Sequence, residues 1–299
     1  MLHELKKRTF LLDGGMGTEL IRRLKIKSRT PFSAASLNLS NPDIVKEIHL
    51  DYLQAGADII TTNTFTANEM MQTYYGYEHE VAKQNQKGMQ LAREAVQAHL
   101  KQTGKKAFIG ANIGPLPFPE KNLFDKTKAD LIDIYKRQVN ALVKEKPDII
   151  IVECAYHLET LRALGTLLED AMNETGQRIP VMVTVPIYKQ PSIIEGLRID
   201  TFFEEVEKVL HPELVGFTCG EGLDNIEEAL EKMPQKPLVL VPNAGLPDEF
   251  GNYTMDIHQL IKRVIELKEK YSIAVVGGCC GTTPRYIAQL KEALEEEMR

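Results

Sequence analysis

Apolar residues come along this chain in short, often β-branched runs. Each run gives way to a polar or glycine-containing turn and then to a stretch with helical spacing. The runs are FLLDGG (10–15), DIITTN (58–63), AFIGANIG (107–114), DIIIVEC (148–154), PVMVTVP (180–186), LVGFTCG (214–220), PLVLVPNAG (237–245) and SIAVVGGCCG (272–281). Between the first two, NPDIVKEIHLDYLQAG (41–56) offers Asn41 as an N-cap, Pro42 at the first helical position, apolar Ile44, Ile48 and Leu53, and Gly56 as a terminator. Comparable patterns predict helices over 79–100, 127–145, 158–173, 202–209, 224–233, 255–270 and 283–298, the last opening with Thr283 and Pro284.

Strands alternating one for one with helices predict an α/β protein of the (β/α)8 TIM-barrel type, because right-handed crossovers between parallel strands close most simply that way. An open doubly wound sheet is the competitor. It would carry G-x-G-x-x-G after its first strand, and DGGMGTEL (13–20) lacks that spacing. No linker, low-complexity tract or short-period repeat interrupts the pattern, so 1–299 reads as a single domain.

Composition excludes more than it selects. At 299 residues, 43% hydrophobic and 26% charged, the chain has apolar material for a large globular core. It has no run near the roughly 18 apolar residues of a membrane span and only a short apolar run before Asp13, so the expectation is a cytoplasmic protein with no membrane partner. A net charge of −6 argues against nucleic acid as a partner. The local basic segments KKR (6–8) and RRLKIKSR (22–29) read as a solvated face, with a contact for an acidic partner as the alternative. Four cysteines without a secretory signal do not make a disulfide scaffold.

In a barrel the chemistry gathers at the C-terminal strand ends. There the sequence places Asp13-Gly14-Gly15, Thr61 to Thr64, Glu153-Cys154, Cys219, Asn243 and Cys279-Cys280. Adjacent Cys279 and Cys280 read either as two small buried residues, or a strained vicinal disulfide, or as metal ligands. Cys219, two strands away around the ring, favours the last: three thiolates with one open position suit Zn²⁺. Gly277, Gly278 and Gly281 allow the tight turn this needs. Alternation sends Cys154 to the face opposite Glu153, toward a helix, as a packing residue. Asp13 and Glu153 read as loop caps or partners of Arg or Lys, or together as the seat of a substrate ammonium group. The Gly14-Gly15 amides and the Thr62-Asn63 turn suit a carboxylate.

The segments LDGGMGTEL, HLDYLQAGADIITTNTFTAN, GANIGPLP, VPNAGLP and VVGGCCGTTP resemble the homocysteine S-methyltransferase family, from about Phe10 to Pro284. LNLSNPDIVKEIHLDYL and PNAGLPDEFGNYT are most similar to its homocysteine-binding barrel at the N-terminus of cobalamin-dependent methionine synthase. The resemblance implies a (β/α)8 barrel in which Cys219, Cys279 and Cys280 bind Zn²⁺ and the metal activates the homocysteine sulfur as a thiolate. It implies that Asp13 and Glu153 bind the amino group of homocysteine, that Thr62 lies near its carboxylate, and that Asn243 offers an oxygen to zinc when no thiol is bound. The methyl donor it implies is S-methylmethionine, betaine or a methyl-corrinoid protein. A cation–π cage for such a donor would draw on Phe65, Tyr74 or Tyr75, since the chain has no Trp. The family usually has Asn before the strand-6 cysteine, where this chain has Thr218.

Three functional readings follow. The first is a zinc-dependent methyltransferase acting on homocysteine, or on another small thiol or selenol. The second is a homocysteine- and zinc-binding module that is inert until a partner brings the methyl group. The third is an unrelated barrel enzyme, for which Lys189 beyond strand 5 is the nearest Schiff-base candidate.

Overall fold

The computed structural model describes residues 1–5, 7–27, 31–116, 125–190, 192–224 and 226–297. Lys6, Ser28 and Arg29 of the basic segments, Pro117 of GANIGPLP, Asn225 and the end of the last predicted helix lie outside the described residues.

The chain forms a (β/α)8 barrel. Strands β1 (Phe10–Leu11), β2 (Ile59–Thr61), β3 (Phe108–Ile113), β4 (Ile149–Val152), β5 (Val181–Ile187), β6 (Leu214–Gly220), β7 (Leu238–Val241) and β8 (Ile273–Val276) pair in parallel in the order β1-β8-β7-β6-β5-β4-β3-β2. The ring closes where Leu12 bridges Ile59, with Asp13 N–H donating to Ile59 O at 3.0 Å and Asp58 N–H to Leu11 O at 2.7 Å. The crossover helices are α1 (Pro42–Ala55), α2 (Val81–Thr103), α3 (Lys128–Lys144), α4 (Leu158–Thr175), α5 (Ile199–Leu210), α6 (Ile226–Glu231), α7 (Ile257–Tyr271) and α8 (Pro284–Glu297). Local signals set their ends. Thr127 and Asp130 form a reciprocal capping box at the start of α3, and Gly56, at φ 109°, ends α1.

Two apolar layers position the site. Phe10, Leu12, Ile59, Ile149, Ile151, Met182, Leu214, Val239, Val241 and Val275 fill the barrel interior, and Leu5 of the short helix Leu2–Leu5 packs against them. The alternate strand residues, Ile150, Val152, Val183, Val215, Phe217 and Leu240 among them, pack outward against the helices. Burying each such side chain contributes about 1.5–3 kcal/mol, so polar residues gather at the mouth.

Strands end earlier than the apolar runs predict: β1 stops at Leu11, β2 at Thr61, β7 at Val241 and β8 at Val276. Beyond these points the backbone bonds from turn to turn, with Gly278 N–H to Asp13 O (3.0 Å), Cys279 N–H to Pro242 O (2.9 Å) and Ala244 N–H to Cys280 O (2.9 Å). Additional helices Met16–Leu24 and Glu69–Tyr75 lie in the loops after β1 and β2. The described arginines of the basic segments are paired: Arg22 and Arg23 with Glu19, Arg23 also with Asp51, and Arg8 with Asp58. Among the described residues, no helix is long and apolar enough to cross a membrane.

Candidate active site

At the mouth the turns after β1, β2, β3, β4, β6 and β8 enclose a cavity of about 210 Å³. Its wall includes Asp13, Gly14, Thr62, Asn63, Glu153, Cys219, Cys279 and Cys280, so the sequence-derived candidates converge there, and Asn243 stands just outside.

Cys219 is aimed by a β-bulge. Thr218 pairs with Pro186 and Gly220 with Ile187, leaving Cys219 unpaired with φ 52°. Regular alternation would turn it out behind Thr218; the bulge turns it into the mouth. Cys279 and Cys280 lie on the turn after β8. The Thr282 hydroxyl donates to Cys279 O at 2.7 Å, and Gly281 has φ 79° with a Cβ position only 2.2 Å from the Tyr253 ring. Only glycine fits there. Burial and the nearby Cys280 push the Tyr253 hydroxyl up in pKa.

The sulfurs of Cys219, Cys279 and Cys280 lie within 4.8 Å of one another, with Cys219 to Cys280 at 3.7 Å and Cys279 to Cys280 at 3.9 Å. Sulfurs bound at 2.3 Å to one tetrahedral ion stand about 3.8 Å apart, so the trio fits a metal. Asn243 adds an observation of its own: its Nδ2 donates to Gly220 O while its buried Oδ1 has no partner.

Cys154 corrects the sequence reading. Alternation ends at Val152, and Cys154 has φ 56° between Glu153 N–H, bonded to Ile113 O, and Ala155 N–H, bonded to Thr184 O. The left-handed residue brings its side chain into the same cavity as Cys219. It is not a member of the three-sulfur group. Donation from Cys154, Cys279 and Cys280 draws the Cys219 thiol far down in pKa, and the same hydrogen bonds push Cys154 and Cys279 up and Cys280 up to about 12.

Opposite the sulfurs are two carboxyls. Asp13 is 1% exposed and accepts from Thr61 N–H (2.8 Å) and the Thr61 hydroxyl (3.1 Å). Glu153 accepts from Asn112 Nδ2 (2.6 Å) at one oxygen and from the Thr218 hydroxyl (3.1 Å) at the other, which is 3.8 Å from Cys279 Sγ. Burial pushes both carboxyls up against these hydrogen bonds, and Glu153 raises Asp13 further by repulsion. Among the described residues the cavity wall holds no Lys, Arg or His. Neither acid is therefore paired with a basic side chain of the described wall.

Other candidates fare differently. Thr62 Oγ1 is spent on Thr64 Oγ1 (2.6 Å) and Asn112 N–H (3.0 Å), and Asn63 Nδ2 on Ala34 O and Asn38 Oδ1. Gly15 N–H donates to the Thr282 hydroxyl at 3.3 Å. Thr66, unnoticed in the sequence, lines the cavity with a buried hydroxyl that has no protein partner. Phe65 is in the wall, whereas Tyr74 is 73% exposed and stacks edge-on with Tyr75, outside it. Lys189 is exposed and does not line the cavity. Asn112 was also missed, though a lone amide inside the apolar run AFIGANIG was a signal.

Fold and site define a barrel enzyme architecture with a metal-fitting thiol cluster beside an anionic pocket at its catalytic face. Residues 10–294 match the family model for homocysteine S-methyltransferases, and the chain belongs to that family. It superposes on the homocysteine methyltransferase MmuM from Escherichia coli in its metallated form with a TM-score of 0.81, at 22% identity over 97% of this chain and 98% of that one. The apo form of MmuM gives 0.72 at 23% identity over 96% and 97%. A Rubisco-like protein from Rhodopseudomonas palustris gives 0.52 at 11% identity, over 100% of this chain and 68% of that one. At such identities the likenesses speak for the fold.

Proposed function

We propose that this protein is a zinc-dependent S-methyltransferase that transfers a methyl group to the thiolate of homocysteine, giving methionine. The observation that carries the reading is the juxtaposition in one cavity of three sulfurs within 4.8 Å of one another and two buried carboxyls without a basic partner among the described wall residues. Homocysteine has the complementary ends, a thiol and an ammonium group.

Cys219, Cys279 and Cys280 would hold the zinc, with Asn243 Oδ1 as a further oxygen when no thiol substrate is present. When bound, zinc holds a thiol deprotonated at neutral pH, where a free thiol of pKa about 8.5 is only a few per cent ionised. Asp13 and Glu153 receive the substrate ammonium. Its carboxylate faces the Gly14 and Thr62-Asn63 backbone, with the Thr66 hydroxyl as an additional donor. The apolar wall of Met16, Ala34 and Phe65 keeps water from the attacking sulfur and fixes its direction.

For the donor, the first reading is a small onium compound, S-methylmethionine or betaine, for which Phe65 is the aromatic residue of the cavity wall among the described residues. A second reading rests on Leu246 (57% exposed), Phe250 (69%) and Met255 (38%), apolar residues on the segment after β7 whose Tyr253 covers Gly281. They offer a methyl-corrinoid protein a surface beside the cavity. Methionine formation from homocysteine is the test, with S-methylmethionine, betaine or a methyl-corrinoid protein as donor, before and after chelation. Turnover that is lost with the metal and restored by zinc supports the proposal, and the effective donor separates the two readings. Undiminished turnover in metal-free protein contradicts both.

A further inference from the structure

Glu153 is held at both ends. Asn112 Nδ2, from β3, donates to one carboxylate oxygen at 2.6 Å, and the Thr218 hydroxyl, from β6, donates to the other at 3.1 Å. Both donors are themselves fixed. Asn112 is 5% exposed and its own N–H donates to Thr62 Oγ1 at 3.0 Å, while Thr218 is 1% exposed and sits in register with Pro186 immediately before the bulge that aims Cys219. The oxygen that Thr218 holds lies 3.8 Å from Cys279 Sγ. A carboxylate so close to the thiol cluster has two uses open to it: it can remain with Asp13, or swing to the metal-binding sulfurs and supply a hard oxygen ligand. Two donors from opposite sides restrain the second.

We propose that Asn112 and Thr218 form a clamp that reserves Glu153 for the substrate's ammonium group, making them positioning residues that set selectivity for an α-amino thiol over the same thiol without its amine. The inference rests on the proposed reading of the site as a homocysteine pocket. Each carboxylate oxygen accepts more than one hydrogen bond, so the clamp leaves lone pairs for the ammonium while fixing where they point. It also gives a specific role to Thr218, whose hydroxyl is enough to hold one oxygen.

The test compares kcat/KM for homocysteine and for 4-sulfanylbutanoate, its des-amino analogue, in zinc-loaded wild type, Asn112→Ala, Thr218→Val and Thr218→Ser, with zinc content measured in each. Wild type is expected to prefer homocysteine. Loss of a hydrogen bond to a charged group should lower that preference roughly tenfold or more in Asn112→Ala and Thr218→Val, with the metal retained, and Thr218→Ser should keep it. Should Asn112→Ala fail to fold, the near-isosteric Thr218→Val carries the test. An unchanged preference in Thr218→Val, in a wild type that does discriminate, overturns the clamp and leaves the pocket reading standing. A wild type that does not discriminate overturns the ammonium reading and the clamp with it.

Discussion

Cys219 and Cys154 are both cysteines at strand ends, both are left-handed, and both are in the cavity, yet only Cys219 belongs to the metal-fitting trio. Cys219→Ser is therefore expected to lower metal affinity by at least roughly 100-fold, more than the loss of an outer-shell partner, whereas Cys154→Ser retains its metal; elemental analysis of the two purified variants reads the difference. Asp13 is the residue whose role conflicts with stability. Burial raises its carboxyl pKa, so the stability it contributes is complete below the unfolded value and is lost as pH rises through the raised folded value. Metal-free Asp13→Asn should gain in melting temperature over wild type, by a margin that widens as pH rises from the unfolded carboxyl value of about 3.9 toward the raised folded one. The same variant should raise KM for homocysteine roughly 10- to 100-fold, the worth of a hydrogen bond to a charged group.

The β6 bulge carries the metal cluster at the level of elements. Gly220 has φ 88°, and a Cβ there would lie 2.0 Å from Ile187 O. Gly220→Ala is expected to cost about 1–3 kcal/mol and to swing Cys219 away, giving a protein that unfolds at lower temperature and has lost metal affinity. Thermal unfolding followed by circular dichroism, with metal analysis on the same sample, checks it. The bulge also marks where sequence reasoning stopped. The runs and helix signals placed every barrel strand and crossover helix, because burial and capping are local properties that the residues spell out, but not the small hairpin of Ile193–Ile194 and Leu197–Arg198. A backbone leaving extended geometry at Cys154 is decided by neighbouring turns, through the bonds of Glu153 N–H to β3 and Ala155 N–H to β5, and no local pattern announces it. Regular alternation was the wrong rule for a residue past the end of its strand.

Across the whole molecule, the eightfold topology brings residues 13, 153, 219 and 279–280, distant in the chain, to one mouth. The convergence of the three sulfurs and the two acids was legible because barrels put strand ends together, and because the resemblance pointed to these residues. Asn112 and Tyr253 were not, since Asn112 is picked out by the Glu153 it meets and Tyr253 by the Gly281 it covers, neither of which is near in the sequence. The account stands on a zinc ion bound by Cys219, Cys279 and Cys280 that takes up the substrate sulfur. Zinc content of the reduced protein, followed by X-ray absorption at the zinc edge with and without homocysteine, tests it most directly. The expected result is about one zinc per chain with about three sulfur neighbours, rising to about four when homocysteine is added. Protein without zinc, or a sulfur count indifferent to homocysteine, would contradict the account.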